Sequence, residues 1–138
     1  MKLRSLATSF GAMALAGAAV VGLSAPASAG SQMRQNLYDI QSWAGTDWKS
    51  TRSVSARHDM RVCDATYGLS SPASGGAYEV SYRKSSNHKA LWKGPWESKT
   101  HRSECHPWVN TGARSVYARI SVNGLTTLDE ADVWLYYN

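Results

Sequence analysis

Polar and apolar residues alternate with a period of two along much of the chain after Gly30, which is the spacing of half-buried strands and not of helices. Arg114 to Asn123 is the clearest case: Val116, Ala118, Ile120 and Val122 face one way, while Ser115, Tyr117, Arg119 and Ser121 face the other. From Trp48 to Ala56 the alternation sets Trp48, Ser50, Arg52, Val54 and Ala56 against Lys49, Thr51, Ser53 and Ser55. His58 to Asp64 continues it, with Met60 and Val62 opposite Arg61 and Cys63. Ala77 to Lys84 is expected to turn Tyr78, Val80 and Tyr82 inward. Asp132 to Tyr137 sets Val133, Leu135 and Tyr137 opposite Asp132, Trp134 and Tyr136. Leu37 to Trp43 is less regular and reads as a first strand or a short helix. Leu91-Trp92 reads as a short strand stopped at Gly94-Pro95, since proline has no N–H to donate to a ladder.

Turn chemistry separates these runs at Tyr67-Gly68, Ser70 to Gly76, Asn110-Thr111-Gly112 and Asn123-Gly124, because glycine accepts positive φ and proline ends a ladder. Roughly seven short strands with no long helical pattern imply an all-β chain, a single antiparallel β-sandwich. Spacing alone does not separate an immunoglobulin-like connection from other strand orders, or a sandwich from a small closed barrel.

The first residues fall outside that pattern. Lys2 and Arg4 precede an apolar run through Ala12 to Leu23, and Ala27-Ser28-Ala29 is an A-x-A cleavage site, so residues 1–29 read as a secretory signal. A run of about a dozen apolar residues is short of the roughly 20 that span a bilayer, and no membrane association is expected after cleavage. Residues 30–36 are polar and read as a flexible N-terminal arm, leaving 37–138 as the sandwich domain. Cleavage lowers the formal charge from +5 to +3, because Lys2 and Arg4 leave 13 basic residues against 10 acidic ones. That is too little for a dedicated nucleic-acid binder. The single Phe, Phe10, is lost as well, so every remaining aromatic is Trp or Tyr, side chains with a large apolar body and one hydrogen-bonding end.

Cys63 and Cys105 are the only cysteines, and in a secreted chain two cysteines point to one disulfide. Closing a loop of about 42 residues stabilises by roughly 4 kcal/mol on the chain-entropy view. The alternative, zinc held by the cysteines with His101 and His106, lacks paired C-x-x-C spacing. No cofactor is expected.

The chain carries no G-x-S-x-G, H-E-x-x-H, Walker or calcium-loop pattern, motifs that would place a nucleophile, metal or phosphate. His58 and Asp59 are neighbours on a strand and so face opposite ways. Asp129, Glu130 and Asp132 form an acidic cluster read as a solvated turn. A small secreted nuclease would combine Glu104, Arg102, His101 and His106, yet their order does not single that chemistry out, and the chain reads as non-catalytic. The most distinctive set lies inside the cysteine loop. Arg83, Lys84, Lys89, Lys93, Lys99 and Arg102 stand against only Glu97, with Trp92 and Trp96 interleaved. Cations and aromatic faces on one exposed hairpin would dock sugars, anionic wall polymer, single-stranded nucleic acid or an acidic protein surface. The competing account is that both tryptophans complete the core while the lysines solubilise an edge.

The signal, the Arg61-Val62-Cys63-Asp64 segment, the strand from Gly76 to Arg83 and a second cysteine some forty residues on resemble the small secreted single-disulfide β-sandwich proteins of Streptomyces. One branch of these is the adaptor subunit of antibacterial umbrella toxin particles, which links a toxin-bearing stalk to lectin subunits. The resemblance implies a non-catalytic interaction protein whose partner is another secreted protein, engaged in part through the arm from Gly30 to Gln35. The other readings are a glycan- or cell-wall-binding module resting on Trp92 and Trp96, and an enzyme inhibitor or small hydrolase.

Overall fold

The computed structural model describes residues 30–70 and 75–138. Residues 1–29, read from the sequence as a secretory signal, and positions 71–74 of the turn-rich connection after Ser70 lie outside the described residues. Among the described residues there is no helix, and ten strands run in chain order. They are β1 (Ser31–Ser42), β2 (Thr46–Ser50), β3 (Val54–Ala56), β4 (Asp59–Ser70), β5 (Tyr78–Lys84), β6 (Ala90–Lys93), β7 (Glu104–Cys105), β8 (Val109–Asn110), β9 (Arg114–Asn123) and β10 (Thr126–Tyr137). The expected antiparallel sandwich is present as two five-stranded sheets. The first has the order β1-β10-β4-β7, with β8 also on β4; the second has the order β2-β9-β5-β6, with β3 also on β9.

The core lies between the sheets and is built from the inward residues that the alternation marks. Met60, Val62, Val116, Ala118, Ile120, Val122, Val133, Leu135, Tyr78 and Tyr82 are fully buried. Removing each large aliphatic side chain from water contributes about 1.5–3 kcal/mol, and Val, Ile and Tyr also suit a pleated surface. Both tyrosines are long enough to span the sandwich and spend their hydroxyls on the opposite sheet. Tyr82 Oη accepts from the Val62 N–H at 3.1 Å, and Tyr78 Oη accepts from the Thr66 hydroxyl at 3.2 Å.

Residues 30–36 are not a loose arm. β1 begins at Ser31 and pairs with β10 from Ser31↔Tyr137 through Ser42↔Thr126. Its polar side chains are matched by polar partners across the pair: Arg34 bonds Asp132 at 2.8 Å and Asn36 bonds Glu130 at 3.0 Å. Polarity in this stretch marks the solvent face of an edge strand, not absence of structure. Trp48 to Ala56 is likewise not one strand. β2 and β3 both pair with β9, but the link at 51–53 reverses the phase: Trp48 lies opposite Ser121 on the outer face, while Val54 and Ala56 face the core. Asn123-Gly124 does turn the chain, with Gly124 at φ 61°. It passes from one sheet to the other and does not close a hairpin within one sheet.

The acidic cluster and Tyr67-Gly68, both read as turns, lie inside strands β10 and β4. The reason is a fault in alternation that crosses three strands of the first sheet. In β1 two successive residues, Tyr38 and Asp39, face outward between Leu37 and Ile40. In β10 Asp129 and Glu130 do so between Leu128 and Ala131, and in β4 Tyr67 and Gly68 follow Thr66. The ladder steps over Asp39, Asp129 and Gly68 together, and its pairing resumes on both sides. Asp39 and Gly68 have φ of 51° and 65°, and a Cβ on Gly68 would sit 2.0 Å from an Asp129 carboxylate oxygen. Glycine is therefore required there on two counts, left-handed backbone and lack of room.

Candidate functional site

The basic-aromatic set of the cysteine loop is divided among different surfaces. Trp92, opposite Tyr82 on the edge strand β6, turns into the seam between the sheets. Its ring packs on Tyr82 at 4.9 Å and on His106 at 5.1 Å between centroids. Lys93 lies on the outer face of the second sheet, 3.1 Å from the buried carboxylate of Glu79. Arg83 lies on the same face, bonded to Ser81 Oγ at 3.1 Å and to the His88 carbonyl at 2.9 Å. Its pKa is lowered, first by burial and then by the Arg119 charge nearby. Lys84 is half-buried at the end of β5, whereas Lys89 is exposed between β5 and β6, and Lys99 and Arg102 are exposed on the connection from β6 to β7. Trp96, 42 % exposed, precedes Glu97, which bridges to Tyr78 at the second sheet's margin. Trp92 is thus half-buried between the sheets, packed on Tyr82 and His106, while Trp96 is largely open to solvent.

Cys63 and Cys105 form the expected disulfide, facing each other across β4 and β7. Beneath it lies a cluster with no motif to announce it. Asp64, fully buried on the inner face of β4, accepts from His106 Nε2 at 2.6 Å and from His101 Nε2 at 2.9 Å. With its Nε2 proton on Asp64, His101 leaves Nδ1 to accept the Tyr78 hydroxyl at 2.8 Å. The His101 backbone N–H donates to Thr66 Oγ1 at 3.2 Å, which closes the network. Glu104 lies 3.4 Å from His101 Nδ1. Successive residues point to opposite faces of a strand, so the segment 101–106 is fastened to β4 twice, by a covalent bond on the outer face and by hydrogen bonds on the inner one. Of the residues weighed for nuclease chemistry, His101, His106 and Glu104 do come together. Both imidazoles are nevertheless engaged with a carboxylate that faces the core, an arrangement that fixes a loop. Among the described residues no group of three or more His, Cys, Asp or Glu side chains is placed to hold a metal ion.

Burial raises the pKa of both core tyrosines well above the ordinary phenol range; the Thr66 bond at Tyr78 and the Val62 bond at Tyr82 offset part of the effect, and the Asp64 charge adds to it. Unfolded tyrosines ionise near pH 10. Folding therefore keeps its full stability below about pH 10 and loses it above, by at most about 1.4 kcal/mol per tyrosine per pH unit. Urea midpoints should stay level to about pH 10 and then fall, with phenolate absorbance from these two residues appearing only on unfolding. A midpoint that stays level at about pH 11 would contradict the assignment.

The outer face of the first sheet is the surface that the alternation leaves unexplained. An antiparallel sheet with one solvated face ordinarily carries polar residues there. Here one row across the strands reads Gln32, Tyr136, Arg61, the next Arg34, Trp134, Cys63, and another Tyr38, Glu130, Tyr67. The Arg61 guanidinium lies 5.0 Å from the Trp108 ring centre and 5.4 Å from that of Tyr136, and Arg34 lies 5.1 Å from Trp134. Tyr38, Tyr67 and Trp108 remain 52 %, 43 % and 50 % exposed. The signal was present in the sequence as outward-phase aromatics, Trp134 and Tyr136 among them, but β1 was needed to show that they share a face with Arg34 and Tyr38. No protein-family model matches the chain, and a search of the curated proteins finds no match.

Proposed function

We propose that the protein is a secreted, non-catalytic interaction protein that docks a second secreted protein on the outer face of its first sheet. The observation that carries this reading is the row of exposed Tyr and Trp interleaved with Arg34 and Arg61 on that face. Aromatic and Arg side chains dominate the binding energy of protein interfaces because they bring large rigid contact area and paired polar ends. The guanidinium groups are already stacked on rings, so little side-chain freedom is lost on docking. A disulfide is compatible with an extracellular setting. The adaptor role implied by the Streptomyces resemblance falls within this reading, the partner then being another subunit of a secreted antibacterial complex.

The test is native purification of the tagged protein from the culture fluid of its own producer, beside a variant carrying Tyr67→Ala and Trp108→Ala. One secreted protein is expected to co-elute in fixed ratio with the wild type and to fall at least tenfold with the variant, whose melting temperature stays within a few degrees of the wild type. A lone wild-type species, or a partner that the variant keeps, would count against the proposal.

A further inference from the structure

The turn between β1 and β2 places Trp43 at one end of the sandwich, 79 % exposed, the most exposed large apolar side chain among the described residues. It has no part in the core. It borders a cleft of about 410 Å³ that is lined also by Asp39, Gln41, Asp47, Trp48 and Lys49. It borders as well a hollow of about 190 Å³ reached by Gln41, Leu125 and Thr127. Gln41 and Trp43 line both, so the two depressions adjoin at these side chains.

The lining is fixed by its neighbours. The Asp47 carboxylate accepts the Trp48 N–H at 2.7 Å, and Lys49 Nζ is held on the Tyr38 carbonyl. The Arg119 guanidinium sits 3.8 Å from the Trp48 ring centre. The fault at Asp39, with its positive φ, brings that carboxylate to the cleft. The charged lining is mixed, two carboxylates at Asp39 and Asp47 against the Lys49 ammonium, with the Arg119 guanidinium against the Trp48 ring. What suits two indoles surrounded by carboxylate acceptors, an amide and an ammonium donor is a neutral polyhydroxylated ring. Its hydroxyls both donate and accept, and its apolar face can lie against an indole that also carries a polar N–H.

We propose that the cleft and hollow that share Gln41 and Trp43 form a saccharide-binding site that accommodates at least two linked neutral sugar units. The site shares no residue with Tyr67 and Trp108, and it stands whether or not a protein docks on the first sheet. Two adjoining depressions predict a gain in affinity with chain length, and an uncharged ligand predicts weak dependence on salt.

The test is a titration of the mature protein, followed by tryptophan fluorescence and calorimetry. The probes are tetrasaccharides from chitin, cellulose, β-1,3-glucan and α-mannan, with the matching monosaccharides. At least one tetrasaccharide is expected to bind, about tenfold or more tighter than its monosaccharide, with little change between low and moderate salt. Trp43→Ala should weaken it at least tenfold with the melting temperature kept, since the side chain is exposed. Asp39→Asn, which tolerates left-handed backbone, should weaken it about threefold or more, and Tyr67→Ala with Trp108→Ala should leave it unchanged. Failure of every tetrasaccharide to bind, or binding that survives Trp43→Ala, would overturn the assignment.

Discussion

Asp64→Ala is expected to destabilise the protein by about 2–4 kcal/mol, because it leaves two imidazole N–H groups without their acceptor at about 1–3 kcal/mol each. The carboxylate is the common acceptor for His101 and His106, both of which lose their Nε2 partner when it goes. His106 cannot turn to water, being buried under the Trp92 ring, and an unmade hydrogen bond in such a place costs the desolvation of the orphaned group. Asp64→Asn keeps the volume and part of the bonding, so it should cost less than half as much. Chemical denaturation of both variants, with the disulfide intact, measures the difference. A loss under about 1 kcal/mol for Asp64→Ala would mean that the cluster is incidental.

The paired variant Cys63→Ala, Cys105→Ala is expected to lose about 4 kcal/mol, the loop-closure entropy for a separation of 42 residues. For a sandwich of about 110 residues that is a large part of a total of roughly 5–15 kcal/mol. The two losses should not add. Disulfide and Asp64 cluster hold the same segment 101–106 to the same strand, so once one is gone the segment can detach locally and the other contributes less than its full value. The triple variant is therefore expected to fall short of the sum by about 1 kcal/mol or more. Strict additivity would show that the two fastenings act on separate unfolding events.

The sandwich was legible because burial leaves a period-two record: Val116, Ala118, Ile120 and Val122 face the core as the pattern says. The record fails where a strand's environment is not one face in oil and one in water. β1 is an edge strand whose early residues pair with polar partners on β10, so it leaves no apolar stripe. Trp48 broke phase with Val54 because Thr51 turns inward to bond the backbone of Ala118 in the link between β2 and β3. The candidate surfaces were harder still. The basic-aromatic set of residues 83–102 is contiguous in sequence, and the fold distributes it. The aromatic face of the first sheet comes from β1, β10, β4 and the segment after Cys105, and no local window contains it. Asp64, His101 and His106 come together only because β4 and the segment after His101 run antiparallel, which the cysteine pairing implied for Cys63 and Cys105 but not for the residues facing the other way.

The fault across β1, β10 and β4 also acts as a key. In a uniform ladder a strand that slides by two residues keeps its apolar face inward, and little but the turns opposes it. Here each of the three strands carries one step in its alternation, and the steps coincide at Asp39, Asp129 and Gly68. A slide by any even number would leave the pleats in phase on one side of the step and out of phase between misaligned steps, turning Leu37, Leu128 or Ala131 toward solvent. Gly68 is the notch in this key, open enough to take the Asp129 side chain, and no other residue of β4 is a glycine. The sheet thus has one register in which its strands mesh.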